Sequence, residues 1–166
     1  MFQIDEYVIH MTGGICQVRE IAPLEIPGAD KNRNYYFLAP LKENGSKVFV
    51  PVDNDAAIRR IYTSDEAEKL IDEIPTIEEL TIDNEKLREA RYREVIKSCD
   101  LRDLVGVLKN LYFRRCKRLE EGKKSTATDD KYIKIAEENL SSELAFVLGK
   151  GKDELKDIVS SRIARA

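Results

Sequence analysis

The sequence predicts an α+β protein, a small N-terminal β-barrel followed by an all-α helical bundle. Three observations predict it. Short runs rich in Val, Ile, Tyr and Phe, separated by turn residues, fill the first ~60 positions. From about Thr63 the apolar spacing changes to the helical i, i+3, i+4 pattern. At the same point the charge pattern turns strongly uneven: residues 63–83 hold eight acidic side chains and one lysine, whereas residues 84–124 hold thirteen Lys/Arg against seven Asp/Glu.

The strands are expected at residues 7–9, 15–21, 35–41 and 47–50, divided by Thr12-Gly13-Gly14, Pro27-Gly28-Ala29-Asp30 and Glu43-Asn44-Gly45-Ser46. Asn44-Gly45 between two apolar runs is a hairpin signal, because both residues tolerate positive φ. Four or five short strands are too few for two full sheets, so a strongly bent barrel of SH3 or Tudor type is expected over residues 1–62.

Residues 63–166 read as helices. Thr63-x-x-Glu66 opens a short acidic helix that ends near Pro75. A second helix is expected from about Asn84 to Ser98. A third opens at Asp100 and places Leu101, Leu104, Val105, Leu108, Leu111, Tyr112 and Leu119 on an apolar stripe, ending at Gly122. Thr126-x-x-Asp129 caps a fourth helix, whose apolar face holds Ile133, Ala136, Leu140, Leu144 and Val147. Gly149-Lys150-Gly151 breaks the chain before a last helix over residues 153–164.

Several function classes are set aside by composition. No apolar run approaches the ~20 residues that span a bilayer, and the opening MFQIDEYVIH lacks the n-region and apolar core of a signal peptide, so no membrane role and a cytoplasmic location are expected. The three cysteines, Cys16, Cys99 and Cys116, are widely spaced and suggest neither a disulfide framework nor a metal site. The lone His10 has no identifiable catalytic partner. Gly122-Lys123-Lys124-Ser125 lacks the upstream glycine and preceding strand of a phosphate loop. The chain is therefore expected not to be an enzyme, and to need no cofactor, metal or small-molecule substrate.

The basic block within a chain of net charge −3 is the footprint of a surface that meets phosphates. On the third helix Arg102, Lys109, Arg114, Arg115 and Lys117 fall mainly off the leucine face. Lys123 and Lys124 lie in the turn before the next helix, and Lys86, Arg88, Arg91 and Arg93 extend the surface if the second and third helices pack antiparallel. Such a set grips a nucleic-acid backbone without reading sequence. Tyr92 and Tyr112 are interleaved with it at helical spacing, which favours core packing.

The block Asn84-Glu85-Lys86-Leu87-Arg88 and its continuation to Asp100 resembles the start of the helical domain of CarD/CdnL-type bacterial transcription regulators. So do residues 104–112, Lys123-Lys124-Ser125-Thr126-Ala127-Thr128-Asp129, Ala136-Glu137 and Ser142-Glu143-Leu144-Ala145. At the N-terminus, Asp5-Glu6-Tyr7-Val8-Ile9, residues 14–21 and Lys47-Val48-Phe49-Val50-Pro51 resemble the strands of the family's first domain. The resemblance covers about residues 2–149. It implies a Tudor-like module that docks on the β subunit of RNA polymerase, through Lys47, Val48, Phe49 and Val50. It further implies a helical domain that contacts promoter DNA and shifts the balance toward or away from the open complex. For that contact the basic set is Lys86, Arg88, Arg91, Lys109, Arg114, Arg115, Lys117, Lys123 and Lys124.

Two positions depart from the family. Members place a tryptophan near the start of the helical domain as a wedge at the minor groove; this chain has no tryptophan and carries Glu85 there. Some members use arginine in the closing strand where this chain has Phe49. The alternative readings are a non-catalytic protein-interaction adaptor, whose basic helices meet an acidic protein surface, and a Tudor-like RNA-binding protein with exposed stacking aromatics.

Overall fold

A computed structural model describes residues 1–12 and 14–165; the central residue of the turn expected at Thr12-Gly13-Gly14 thus lies outside the described residues. The chain forms two compact units, Met1–Ile61 and Tyr62–Ala166.

The first unit is one antiparallel sheet of five strands, β1 (Tyr7–His10), β2 (Gly14–Pro23), β3 (Asn34–Pro40), β4 (Val48–Pro51) and β5 (Ile58–Arg60), in the order β4-β3-β2-β1-β5. Period-2 alternation sends Val8, Cys16, Val18, Tyr36, Leu38, Val50 and Ile58 to one face, where they close the core. The ladder between β2 and β3 slips at Val18/Glu20, leaving Arg19 as an extra residue. A bulge there sharpens the twist and bends the strand, which curls the sheet into a half-barrel. Phe2 folds back on Tyr36 edge to face and donates its N–H to the tyrosine oxygen at 3.1 Å. Short edge strands, β4 and β5, terminate the sheet. β5 is absent from the sequence reading because it is three residues long and carries a single apolar side chain, Ile58; its pairing with β1 is what creates it.

The second unit is helical: α1 (Ser64–Glu73), α2 (Arg88–Ser98), α3 (Leu101–Glu120), α4 (Ala127–Leu148) and α5 (Lys152–Ile163). Thr63 and Glu66 make the reciprocal capping box that opens α1, each side chain bonding the other's backbone N–H. Asp100 accepts from Asp103 N–H at the start of α3, and Thr126 accepts from Asp129 N–H at the start of α4. Replacing such a cap by alanine costs about 1 kcal/mol. Gly149, at φ 65°, closes α4 in the left-handed conformation. Asn84 caps Lys86 N–H instead of an α-helix, so residues 85–87 form a 3-10 turn and α2 begins at Arg88 rather than at Asn84.

The leucine stripe of α3 is buried as its spacing requires, with one correction. Leu119, in the last turn of α3, is 61% exposed. The helix is also covered on a second side. The extended segment 77–83 lays its backbone across α3 at Gly106, where Leu80 N–H donates to Gly106 C=O at 3.0 Å. A Cβ on Gly106 would sit 3.1 Å from Glu78 C=O and 3.4 Å from Leu80 N, so any larger residue requires the crossing segment to give by a few tenths of an ångström.

Candidate functional site

In the first unit the expected docking residues are Lys47, just before β4, and Val48, Phe49 and Val50 on it. As an edge strand β4 pairs, among the described residues, with β3 alone. Val48 and Val50 turn inward, and Val50 is a core residue, 3% exposed; its side chain is unavailable to a partner, so among the expected docking residues it contributes backbone alone. Lys47 and Phe49 are exposed. Phe49 pairs edge to face with Phe37 of β3, ring centroids 4.9 Å apart, making a two-ring apolar patch on the outer face beside the free edge. Phe37 lies between the inward Tyr36 and Leu38 and so faces outward with Phe49.

In the second unit α2 and α3 run back along each other. The start of α2 meets the middle of α3 through Arg88 and Asn110, and through Tyr92 and Asn110. Glu85 of the turn before α2 stands 3.7 Å from Arg114 of α3. Six expected contact residues, Lys86, Arg91, Lys117, Lys123 and Lys124 with the half-buried Arg115, lie at the surface. Arg91 is paired with Glu94, and Lys123 with Glu121. Arg115 lies over the Tyr112 ring at 5.0 Å. Lys86, Lys117 and Lys124 have no ion pair among the described residues.

Three expected residues are committed to the fold. Lys109 is 2% exposed; its ammonium donates to Pro75 C=O at 3.3 Å and to Ile77 C=O, which corrects its assignment to the basic surface. The physical reason is the second covered side of α3, whose partner is a row of backbone carbonyls and not an apolar stripe. Burial lowers the Lys109 pKa. Arg114 donates from Nε to Asp129, a carboxylate that is only 2% exposed, at 2.7 Å. Arg88 is held on one edge by Tyr92 Oη at 2.5 Å and Asn110 Oδ1 at 3.1 Å. Its other edge meets the Glu85 carboxylate, with Nε at 2.8 Å and Nη2 at 2.6 Å from both oxygens. The bond to Arg88 is the largest influence on the Glu85 carboxyl and, with the charges of Arg88, Arg114 and Lys117, holds it below the usual range; desolvation, second in size, opposes them. Sequence reading identified Glu85 as a departure but not as a ligand of Arg88; the i, i+3 spacing was the available signal. Tyr92 and Tyr112 are buried, as their spacing favoured.

His10 accepts at Nδ1 from Thr12 N–H at 3.3 Å within a strand-end turn. Among the described residues no group of three or more His, Cys, Asp or Glu side chains is placed to hold a metal, and no helix is long and apolar enough to cross a membrane.

The chain thus pairs a half-barrel whose edge strand is flanked by two aromatic rings with a helical unit that carries exposed lysines. Residues 2–62 match the family described as CarD-like/TRCF RID domain, and the N-terminal unit belongs to it. This is the Tudor-like, RNA polymerase-interacting domain of CarD/CdnL-type proteins, a non-catalytic protein-interaction domain that in its family binds the polymerase β subunit. The match over these residues supports an RNA polymerase-interacting, transcription-associated role. No curated protein matches the chain.

Proposed function

We propose that the chain is a non-enzymatic transcription regulator that bridges RNA polymerase and promoter DNA and so modulates open-complex formation. The N-terminal unit docks on the β subunit through the β4 edge, with Lys47, Val48 and Phe49 at the contact. The helical unit touches DNA phosphates with Lys86, Lys117 and Lys124, supported by Arg91, Arg115 and Lys123. The observation that carries the reading is the RID match over residues 2–62 together with an open strand edge in that same unit. Backbone pairing at a sheet edge supplies affinity, and the Phe37–Phe49 patch supplies specificity. Anchoring to polymerase raises the effective concentration of the helical unit at DNA, so a modest number of phosphate contacts suffices.

The test is co-purification of the full chain with bacterial RNA polymerase, cross-linking to identify the subunit, and heparin-challenge assays of open-complex lifetime. Cross-links from residues 47–49 to the β subunit and an altered lifetime are the expected results. Absence of polymerase capture by the folded chain would end this reading and leave the adaptor and RNA-binding alternatives.

A further inference from the structure

We propose that Arg88 and Arg114 form a preorganised phosphate site whose resident occupant is the chain's own Glu85 carboxylate, displaced by a nucleic-acid backbone phosphate on binding. This rests on the reading that the helical unit contacts DNA and deepens it. The Arg88 guanidinium is fixed before any ligand arrives: Tyr92 and Asn110 hold one edge, and Asn110 is itself anchored through Nδ2 to Leu80 C=O at 3.2 Å. The edge left over, Nε and Nη2, is the fork that matches two oxygens of a carboxylate or a phosphate. Glu85 fills it, and reaches toward Arg114, whose position is set by buried Asp129.

The occupant is far less fixed than the site. The Glu85 side chain is 67% exposed while that of Arg88 is 13% exposed, so the carboxylate is a lid over a built-in arginine edge. Lys117 is exposed on α3 and contributes to the potential felt by Glu85. A phosphate oxygen pair occupying the same edge can accept the Nε and Nη2 bonds that Glu85 now accepts, in the same positive potential. The exchange costs the Glu85 ion pair, which in an exposed setting is weak and salt-screened. Glu85 therefore sets a threshold on DNA affinity: the site opens to a polyanion presented at high effective concentration and stays closed to dilute anions.

The experiment compares the full-length wild type, Glu85→Gln and Glu94→Gln by fluorescence anisotropy with a labelled duplex across salt concentrations. Glu94→Gln removes the same charge from the same region, beside Arg91. In parallel, the Arg88 Nε–H resonance is followed by NMR during titration with inorganic pyrophosphate. Glu85→Gln is expected to bind duplex about three- to tenfold tighter, with a slope of log K against log salt steeper by about one, the signature of one further phosphate contact. Glu94→Gln is expected to leave the slope unchanged. An equal gain in both variants, or no gain in Glu85→Gln, overturns the proposal. If no variant binds duplex, the regulator reading loses its DNA contact; a larger pyrophosphate shift at Arg88 in Glu85→Gln than in wild type then still establishes the site, and no shift refutes it.

Discussion

At the scale of single residues, a basic side chain counted in sequence is not a charge delivered to the surface. Lys109 illustrates this best. It sits on the basic block yet spends its ammonium on the carbonyls of residues 75 and 77. Replacing it by methionine keeps the stem and removes the donor, leaving those carbonyls short of a partner. The expected loss is about 1–3 kcal/mol, against less than about 0.5 kcal/mol for Lys117→Met at the surface. Urea unfolding followed by circular dichroism measures both; equal stability of the two variants would contradict the buried role. The pH dependence has a definite sign. Burial lowers the folded pKa below that of the unfolded chain, so the unfolded state binds the extra proton and stability rises with pH between the two values. The advantage of wild type over Lys109→Met is therefore expected to grow on going from pH 7 to pH 10.

At the scale of elements, α3 is crossed so closely at Gly106 that a side chain there would press on the backbone of the crossing segment. In Gly106→Ala the new methyl meets backbone, not a flexible side-chain end. The segment it meets is pinned by Leu80 N–H to Gly106, Asn110 to Leu80 and Lys109 to Ile77. Alanine gains helix propensity of about 1 kcal/mol, and overpacking of this kind costs about 1–3 kcal/mol, so a net loss of about 1 kcal/mol is expected. A lower urea midpoint at unchanged slope is the readout; a raised midpoint would mean the segment yields. The same element shows what sequence can and cannot disclose. The caps at Thr63, Asp100 and Thr126 were legible because the two bonded groups lie three residues apart. The leucine stripe was legible because period 3.6 records one buried face. The second buried side of α3 was not, since its partner is main chain and leaves no apolar pattern. β5 was hidden for the related reason that its pairing with β1 is non-local. Of the candidate site, Lys86, Lys117 and Lys124 were legible as exposed cations. The commitments of Arg88 and Arg114 were not, because Asn110 and Asp129 reach them from other parts of the fold.

At the scale of the whole molecule, two units with unlike surfaces imply two separable bindings. Residues 1–62 carry nearly balanced charge, seven Lys/Arg against eight Asp/Glu, which suits a protein partner; the basic block lies entirely in the second unit. The variants that test the separation must spare the fold. Arg114→Glu does not, since it would set a carboxylate against buried Asp129. Exposed positions serve better: Phe49→Asp on the outer face of β4, and Lys117→Glu with Lys124→Glu on the helical unit. Phe49→Asp places a charge in the aromatic patch beside the free edge and is expected to lower polymerase capture at least tenfold while leaving duplex affinity unchanged. The double lysine reversal is expected to leave polymerase capture intact and to reduce the salt slope of duplex binding by about two, one for each lost phosphate contact. Because the anchor supplies effective concentration, its effect on duplex binding should shrink when polymerase is present. Capture on immobilised polymerase and anisotropy on free duplex, run on variants with unchanged melting curves, make the comparison. Loss of both activities from either change would mean that the two units act as one surface, and the bridging mechanism would fall with that result.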